Sequence, residues 1–380
     1  MKRVAHILSY FPGQEGLTSF CRGLGRAFEE LEGIEVPVIT FRGKPPRNPS
    51  EANPPLIKFP HQRRHPFQLP DRFLEALDTG ELELDGAVLH GTYSPQAFAL
   101  ARALQKRAIP YIFMPHDPYV AELVNHLALR KWAYWHVCEK WVIRNAAAVQ
   151  LLSASHEEPL RKLGVKTPTF VVANGCDPSE LKHLPQNVRV PGRGEDFRIQ
   201  YLGRMDRNHK GLDLLIEGFA LFLKEFGKEV PVKLILSGND WYDRGGLEKF
   251  ADSLGLGEKV EFTGRLADHS IAIQSRADLC VLTSRFDGFG LTLVEAMLAG
   301  RPVLVSSRAG IAEQVAKAGG GFVVEPNVKS ISKGLGEAWN LKSELATMGQ
   351  RAQDYVTNYL TWKDIAEQSA EAYRKYFKRT

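Results

Sequence analysis

Arg285-Phe286-Asp287-Gly288-Phe289-Gly290-Leu291-Thr292-Leu293-Val294-Glu295-Ala296-Met297-Leu298-Ala299-Gly300 is the stretch whose reading decides the fold. It begins as a glycine-containing loop and continues as an apolar helix. Asp287 and Glu295 are separated by seven residues, one in the loop and one in the helix. Gly288 and Gly290 free the loop backbone, and the helix that follows turns its positive end toward whatever the loop holds. An anionic group seated there would have a carboxylate on either side. A sugar carried on a diphosphate meets both demands, with amides for phosphate and carboxylates for hydroxyl groups.

Outward from this stretch, short apolar runs alternate with longer amphipathic segments. Strands are expected at Val4–Tyr10, Val36–Phe41, Gly86–His90, Tyr111–Met114, Ala148–Leu152 and Phe170–Ala173. They resume at Arg198–Leu202, Lys233–Ser237, Val260–Thr263, Leu279–Thr283, Val303–Ser306 and Gly321–Val324. Helical periodicity fills the intervals at Leu17–Glu30, Pro95–Arg107, Lys131–Asn145, His156–Leu163, Leu212–Phe226, Leu247–Leu254, Leu291–Ala299 and Ala309–Lys317. Continuous apolar strands separated by helices imply parallel sheets covered on both faces. The pattern runs twice. Between Asn174 and Asp196 the periodicity gives way to Gly, Pro and charge, which places a linker there. The expected architecture is α/β: two Rossmann-like, doubly wound parallel-sheet domains facing each other across a cleft. Residues 1–178 form the first, with a C-terminal helix at 361–380 packing back on it, and residues 190–360 form the second.

Bulk properties narrow the function. The chain has 380 residues, 44% hydrophobic and 24% charged, with a formal net charge of +5. That balance suits an anionic small molecule or an acidic membrane surface as well as nucleic acid. No apolar run reaches the roughly 18 residues of a membrane-spanning helix. The N-terminus lacks the long apolar stretch of a signal peptide. Cys21, Cys138, Cys176 and Cys280 are scattered, so free thiols in a reducing compartment are expected. A P-loop is absent, and Gly23-x-Gly25 falls inside a helix, against a dinucleotide fingerprint. Neither a metal-ligand spacing nor an Asp-x-Asp pair occurs.

The second half opens with Tyr201-Leu202-Gly203-Arg204-Met205-Asp206, then Lys210-Gly211-Leu212-Asp213-Leu214-Leu215. A strand ends at Gly203 and a helix begins near Gly211. Arg204 and Lys210 therefore leave the same strand end, one offering a planar fork and the other a mobile point charge. Alone they read as two solvated cations, and Glu295 alone reads as an acid placed to suit a helix dipole. Together with the loop after Thr283, on the same sheet edge, they read as a ligand site.

In this order the residues resemble the retaining GT-B glycosyltransferases of family 4. The resemblance covers nearly the whole chain. Leu236-Ser237-Gly238, Phe262-Thr263-Gly264-Arg265-Leu266 and Gly300-Arg301-Pro302-Val303 are similar to the donor-domain landmarks. Pro115-His116, Arg130-Lys131 with Tyr134 and Glu139-Lys140, and Val172-Ala173-Asn174-Gly175-Cys176-Asp177 are similar to the central and hinge segments. The resemblance implies that Arg204 and Lys210 hold the donor diphosphate, Glu295 the ribose hydroxyls and Asp287 the transferred sugar. It implies that backbone amides of Phe289, Gly290, Leu291 and Thr292 hold phosphate or sugar, and that Gly203, Gly238 and Gly288 belong to the donor site. Arg265 and Leu266 would flank the base, Gly16 would admit the distal phosphate, and His116 would stand beside the reacting carbon. His116, Asp287, Lys210 and Arg204 form the implied catalytic set.

Three positions depart from the family pattern. Asp287 stands where Glu is usual, and one methylene less moves the carboxylate by about 1.5 Å. Glu15 precedes Gly16 where paired glycines are frequent, and Asp117 follows His116 where Gly is frequent.

The implied activity is a metal-independent hexosyltransferase. It would take a nucleotide-diphosphate sugar, a uridine diphosphate sugar with glucose favoured, and an acceptor that is a saccharide or a lipid-linked saccharide. The implied role is in polysaccharide or cell-envelope glycan synthesis, with no cofactor and no nucleic acid. A nucleotide-sugar epimerase of the same fold and a lapsed nucleotide-sugar-binding protein are the alternatives. A cytoplasmic location, with a peripheral contact on the inner membrane face, fits Lys58, His61, Arg63, Arg64, His65 and Arg72 among prolines and phenylalanines. Trp132, Tyr134, Trp135, His136 and Trp141 crowd one helical segment and are expected to be mainly core.

Overall fold

The computed structural model describes residues 2–8, 15–31, 33–41, 56–60, 65–117, 119, 128–193, 196–239 and 243–377. The chain divides into two units. One is Met1–Gly175 with Trp362–Thr380, and the other is Cys176–Thr361.

Seven parallel strands form the first sheet: β1 Val4–Leu8, β2 Val38–Thr40, β3 Leu56–Lys58, β4 Gly86–His90, β5 Tyr111–Met114, β6 Ala148–Leu151 and β7 Thr169–Val171. Their order is β3-β2-β1-β4-β5-β6-β7. Every residue of β1, β2, β4, β5 and β6 is buried, as two-sided coverage by helices demands. The C-terminal helix Trp362–Tyr376 belongs to this unit and packs on the helix Glu15–Glu30. Gly23 allows that contact, since a Cβ there would lie 2.1 Å from the Trp362 indole.

This unit differs from the expectation at the helix Asp71–Asp78, which was not foreseen, at β3 and over Lys131–Asn145. β3 is a three-residue edge strand, half-buried and paired in parallel to β2. The helix expected over Lys131–Asn145 is instead α-helix at Ala128–Tyr134, a π turn at Trp135–Glu139 and α-helix again at Lys140–Arg144. The wider turn redistributes the aromatic side chains. Trp135 is buried and Trp141 packs against the core, while Trp132 is 58% exposed.

The second sheet has six strands: β8 Phe197–Leu202, β9 Val232–Ser237, β10 Val260–Gly264, β11 Leu279–Leu282, β12 Val303–Ser306 and β13 Gly321–Val324. All pair in parallel in the order β10-β9-β8-β11-β12-β13. Strand order reverses between β8 and β11, and a crevice opens at the carboxyl ends of such a pair. The segment read as a linker is largely built into this unit. Buried Asp278, before β11, accepts hydrogen bonds from Arg189 Nε at 2.9 Å, Gly192 N–H at 2.7 Å and Arg198 N–H at 2.7 Å. All four cysteines are buried free thiols.

Candidate functional site

The loops after β8 and β11, at the reversal of strand order, carry most of the residues singled out in the second unit. After β8 the chain turns through Gly203 and Arg204. Tyr201, fully buried, donates its hydroxyl to the Arg204 carbonyl at 2.7 Å and fixes that turn. Asp206 caps the short helix Arg207–Lys210 by accepting the His209 N–H at 2.9 Å. Gly211 then turns with φ 63°, and a Cβ there would sit 2.4 Å from the Thr283 carbonyl oxygen. The two loops thus run against each other. Arg285 N–H donates to the His209 carbonyl at 3.0 Å, and the Arg285 guanidinium forks onto Asp213 at 2.8 and 2.7 Å.

Lys210 and Asp287 meet inside this clamp. Lys210 Nζ donates to Asp287 Oδ2 at 2.6 Å, and Ser284 Oγ lies 3.3 Å from the same oxygen. Asp287 is 8% exposed. Burial pushes its carboxyl pKa up, but the Lys210 charge and the hydrogen bonds from Lys210 and the Phe289 N–H hold it below the ordinary value. The ionised pair is the resting state of the site. Arg204 is exposed, and its Nη2 contacts His209 Nδ1 at 3.2 Å. The His209 ring stacks on Phe286 at 4.2 Å, and burial plus the Lys210 charge lowers its pKa to about 4. A neutral ring accepts the Arg204 hydrogen bond and aligns the guanidinium.

The loop after β11 is braced from behind. Asp287 N–H donates to the Arg308 carbonyl at 3.2 Å, and Ile311 N–H to the Phe289 carbonyl at 2.9 Å. Gly310 lacks room for a Cβ, which would meet the Gly288 oxygen at 2.3 Å. Gly290, at φ 97°, opens the helix Leu291–Leu298 without any side-chain cap. Leu293 N–H turns back to the Gly290 carbonyl at 2.9 Å. The N–H groups of Leu291 and Thr292, at the first two helical positions, have no carbonyl within the helix to meet. Glu295 lies one turn on, the same face up. Burial first, and then repulsion from Glu180, push its pKa up to about 7 against the opposing hydrogen bond from Ser270. Gly203 and Gly238 hold neighbouring loops together: a Cβ on Gly238 would fall 1.7 Å from the Gly203 oxygen. Arg265 and Leu266 follow the edge strand β10, with Arg265 exposed.

His116 and Gly16 belong to the first unit. Gly16 is exposed in the first turn of the helix Glu15–Glu30, where the sequence reading had it in a loop. Gly13 and Gln14 lie outside the described residues, as do His61, Arg63 and Arg64. Of the other basic residues there, Arg72 pairs with Glu81 and Glu75, and His65 Nδ1 accepts the Phe67 N–H at 3.3 Å. His116 follows β5, takes φ 67° and is partly exposed. Its Nε2 lies 2.7 Å from His90 Nδ1, and His90 Nε2 lies 2.9 Å from His6 Nδ1. Glu139, buried at the end of the π turn, accepts the Tyr119 hydroxyl at 2.7 Å and the Tyr93 N–H at 3.0 Å. Its other oxygen has no partner, and burial raises its pKa to about 7.

His209, Ser284, Ser270, His6 and His90 were not singled out from the sequence. His6 and His90 carried a signal, being polar residues inside the apolar runs Val4–Leu8 and Gly86–His90. Sequence spacing shows no metal-ligand set, but among the described residues the fold assembles two trios, His6 with Cys21 and His90, and Glu180 with His183 and His269. Both ring nitrogens of His6 and His90 are already engaged. His269 pairs with Glu180 at 2.7 Å, and the His183 ring stacks on it at 4.1 Å.

Two family profiles match the chain: glycosyl transferases group 1 over residues 186–355 and a glycosyl transferase 4-like domain over residues 15–175. The chain belongs to the GT-B glycosyltransferases of family 4. It is 24% identical to an MMP alpha-(1->4)-mannosyltransferase of Mycolicibacterium hassiacum, over 95% of this chain and 94% of that protein. It is 33% identical to mannosylfructose-phosphate synthase of Agrobacterium fabrum, where the match spans 44% of this chain and only 38% of that protein. The structure of Anabaena Alr3699/HepE in complex with UDP superposes with a TM-score of 0.75 at 21% identity, covering 99% of this chain and all of that one. This glycosyltransferase therefore has the two Rossmann-like domains read from its sequence.

Proposed function

We propose that the chain is a retaining, metal-independent hexosyltransferase. It takes a nucleotide-diphosphate sugar, with uridine diphosphate glucose first and guanosine diphosphate mannose second. The acceptor is a saccharide or a lipid-linked saccharide, and the product enters polysaccharide or cell-envelope glycan synthesis. The observation that carries this reading is the Lys210–Asp287 contact of 2.6 Å beside the uncapped helix Leu291–Leu298. A cation, a carboxylate and free N–H groups converge there, as a sugar diphosphate requires. Arg204 and Lys210 take the diphosphate, Glu295 the ribose, and Asp287 a sugar hydroxyl once diphosphate draws Lys210 away.

In this reading the acceptor oxygen bonds to the anomeric carbon while the bond from that carbon to the diphosphate oxygen breaks. The acceptor proton passes to the departing diphosphate, so no protein base is consumed. Arg204, Lys210 and the helix opening stabilise the charge that develops on the leaving group. The relatives that print a mannosyl activity keep mannose in contention. A peripheral membrane contact is supported by exposed Leu129, Trp132 and Val137 beside Arg130.

A thermal-shift screen of nucleotide sugars, followed by product analysis of the best stabiliser, tests the reading. Stabilisation by a uridine or guanosine diphosphate sugar, with slow release of free hexose, supports it. An epimeric nucleotide sugar formed from donor alone replaces it with the epimerase. Binding with neither hydrolysis nor transfer replaces it with the lapsed binder.

A further inference from the structure

Four side chains in the first unit form one hydrogen-bonded line. Tyr373 Oη lies 3.0 Å from His6 Nε2, His6 Nδ1 lies 2.9 Å from His90 Nε2, and His90 Nδ1 lies 2.7 Å from His116 Nε2. Sheet register creates the line. His6 pairs with Val88 across β1 and β4, and His90 pairs with Met114 across β4 and β5. His90 is two residues beyond Val88 and His116 two beyond Met114, so the period of two puts all three rings on one face. Ring centroids 4.9 and 5.0 Å apart match the spacing between neighbouring strands. Phe20 closes the apolar side, edge-on to His90 and His116.

Burial favours the neutral form of all three rings. Burial lowers the pKa of His6 to about 3 and of His116 to about 4, and it holds His90 well below the ordinary value. A neutral imidazole has one N–H and one acceptor nitrogen, so three in line must all point the same way. The hydroxyl of Tyr373 decides which way. Tyr373 is fully buried, and its proton needs an acceptor. Burial raises the Tyr373 pKa and the Ser369 hydroxyl acts to lower it, the effect of a donor to the phenolic oxygen, which leaves His6 Nε2 as the acceptor of the Tyr373 proton. Tyr373 then donates to His6, His6 Nδ1–H to His90, and His90 Nδ1–H to His116 Nε2. The reverse sense would strand the hydroxyl proton in the core.

We propose that the line Tyr373–His6–His90 fixes the tautomer of His116, so that His116 presents Nδ1–H as a hydrogen-bond donor. Tyr373, His6 and His90 are positioning residues that act through His116. The proposal rests on the reading of His116 as a residue beside the reacting carbon. With Nε2 occupied and Nδ1 protonated, His116 can donate to a substrate oxygen but cannot take the acceptor proton. The proton must leave with the diphosphate, as the proposed transfer has it.

The test is a long-range proton–nitrogen correlation spectrum of the full chain with nitrogen-15 histidine at neutral pH. The His116 signal is assigned by its loss in His116→Asn. The expected result is a protonated Nδ1 and a bare Nε2 on His116. In Tyr373→Phe the line loses its terminal donor, so the fixed tautomer gives way to a mixture, and kcat falls about 3- to 10-fold with donor KM little changed. His116→Asn, whose amide nitrogen replaces Nδ1 and which tolerates positive φ, retains more turnover than His116→Ala. A protonated Nε2 in the unaltered protein overturns the proposal without any variant having to fold. An unchanged His116 tautomer in Tyr373→Phe overturns it as well. The spectrum is independent of turnover. A correct tautomer in a protein without transferase activity would overturn the functional reading alone.

Discussion

Lys210 and Asp287 lie 77 residues apart in sequence and 2.6 Å apart in the second unit, joined across the loops that follow β8 and β11. The pair is nearly dry, with side chains 16% and 11% exposed. Each charge is therefore what makes the other tolerable. In the proposed reaction the same lysine must turn to diphosphate, so the pair is both a stabilising contact and a reservoir of positive charge.

Removing one partner should show both roles. Lys210→Ala leaves Asp287 with Ser284 and the Phe289 N–H, and stability should fall by about 2 kcal/mol. The double variant Lys210→Ala/Asp287→Asn removes the stranded charge and should recover most of that loss. Turnover should stay at least 100-fold down in both. Denaturant unfolding beside a transfer assay checks this. Recovery of turnover with stability would contradict a role for Lys210 in transfer.

Glu295 makes donor affinity depend on pH. Its pKa stands near 7 in the free protein, raised first by burial. In the proposed donor complex ribose hydroxyls donate to the ionised carboxylate, so donor binding should tighten as pH rises through 7 and release a proton. Glu295→Gln should flatten that dependence. Calorimetric titrations in buffers of different ionisation enthalpy read the proton directly.

Glu139 gives a stability signature of the opposite kind to a salt-bridged acid. Its folded pKa near 7 lies above the ordinary 4.5, so the native state holds the proton more tightly than the unfolded chain. The contribution is complete below about 4.5 and is lost as pH rises toward 7. Relative to Glu139→Gln, the unaltered protein should lose roughly 3 kcal/mol between pH 4.5 and 8. Urea midpoints of both proteins across that range check the sign.

Gly238 tests whether close packing of loops is a condition of the site. A Cβ would meet the Gly203 carbonyl at 1.7 Å, and φ is 143°. Only backbone movement can relieve that contact. Gly238→Ala should cost about 3 kcal/mol and weaken donor binding, because Arg204 follows Gly203 directly. Thermal melting and donor titration on the same sample separate the two effects.

The sheets were legible because their central strands are short runs rich in apolar residues, set between helical patterns. Arg198–Leu202, Lys233–Ser237 and Val303–Ser306 read as strands, and they fall within β8, β9 and β12. β3 was not legible, since Leu56–Lys58 is three residues long and half-buried at a sheet edge, so little apolar patterning is required of it. The π turn was hidden for another reason: one extra residue in a helical turn leaves the 3.6-residue period nearly intact. Local spacing carried Arg204, Lys210, Asp287 and Glu295. His209 was passed over as spacing between two cations, and its ring proves to align one of them. His6 and His90 join His116 only through sheet register, and Ser270 meets Glu295 only through tertiary packing. No local pattern encodes either relationship.

Calorimetric titration of uridine diphosphate, in buffer with chelator, into the unaltered protein and into Arg204→Ala and Lys210→Ala tests the central claim most directly. The account predicts binding without added metal, weakened about 10- to 100-fold by each substitution, as loss of a charge-assisted phosphate contact requires. Arg204 is exposed, so that variant should fold as the parent does. Equal affinity in all three proteins, or no binding of uridine or guanosine diphosphate by the parent, would contradict the claim that these cations hold the diphosphate.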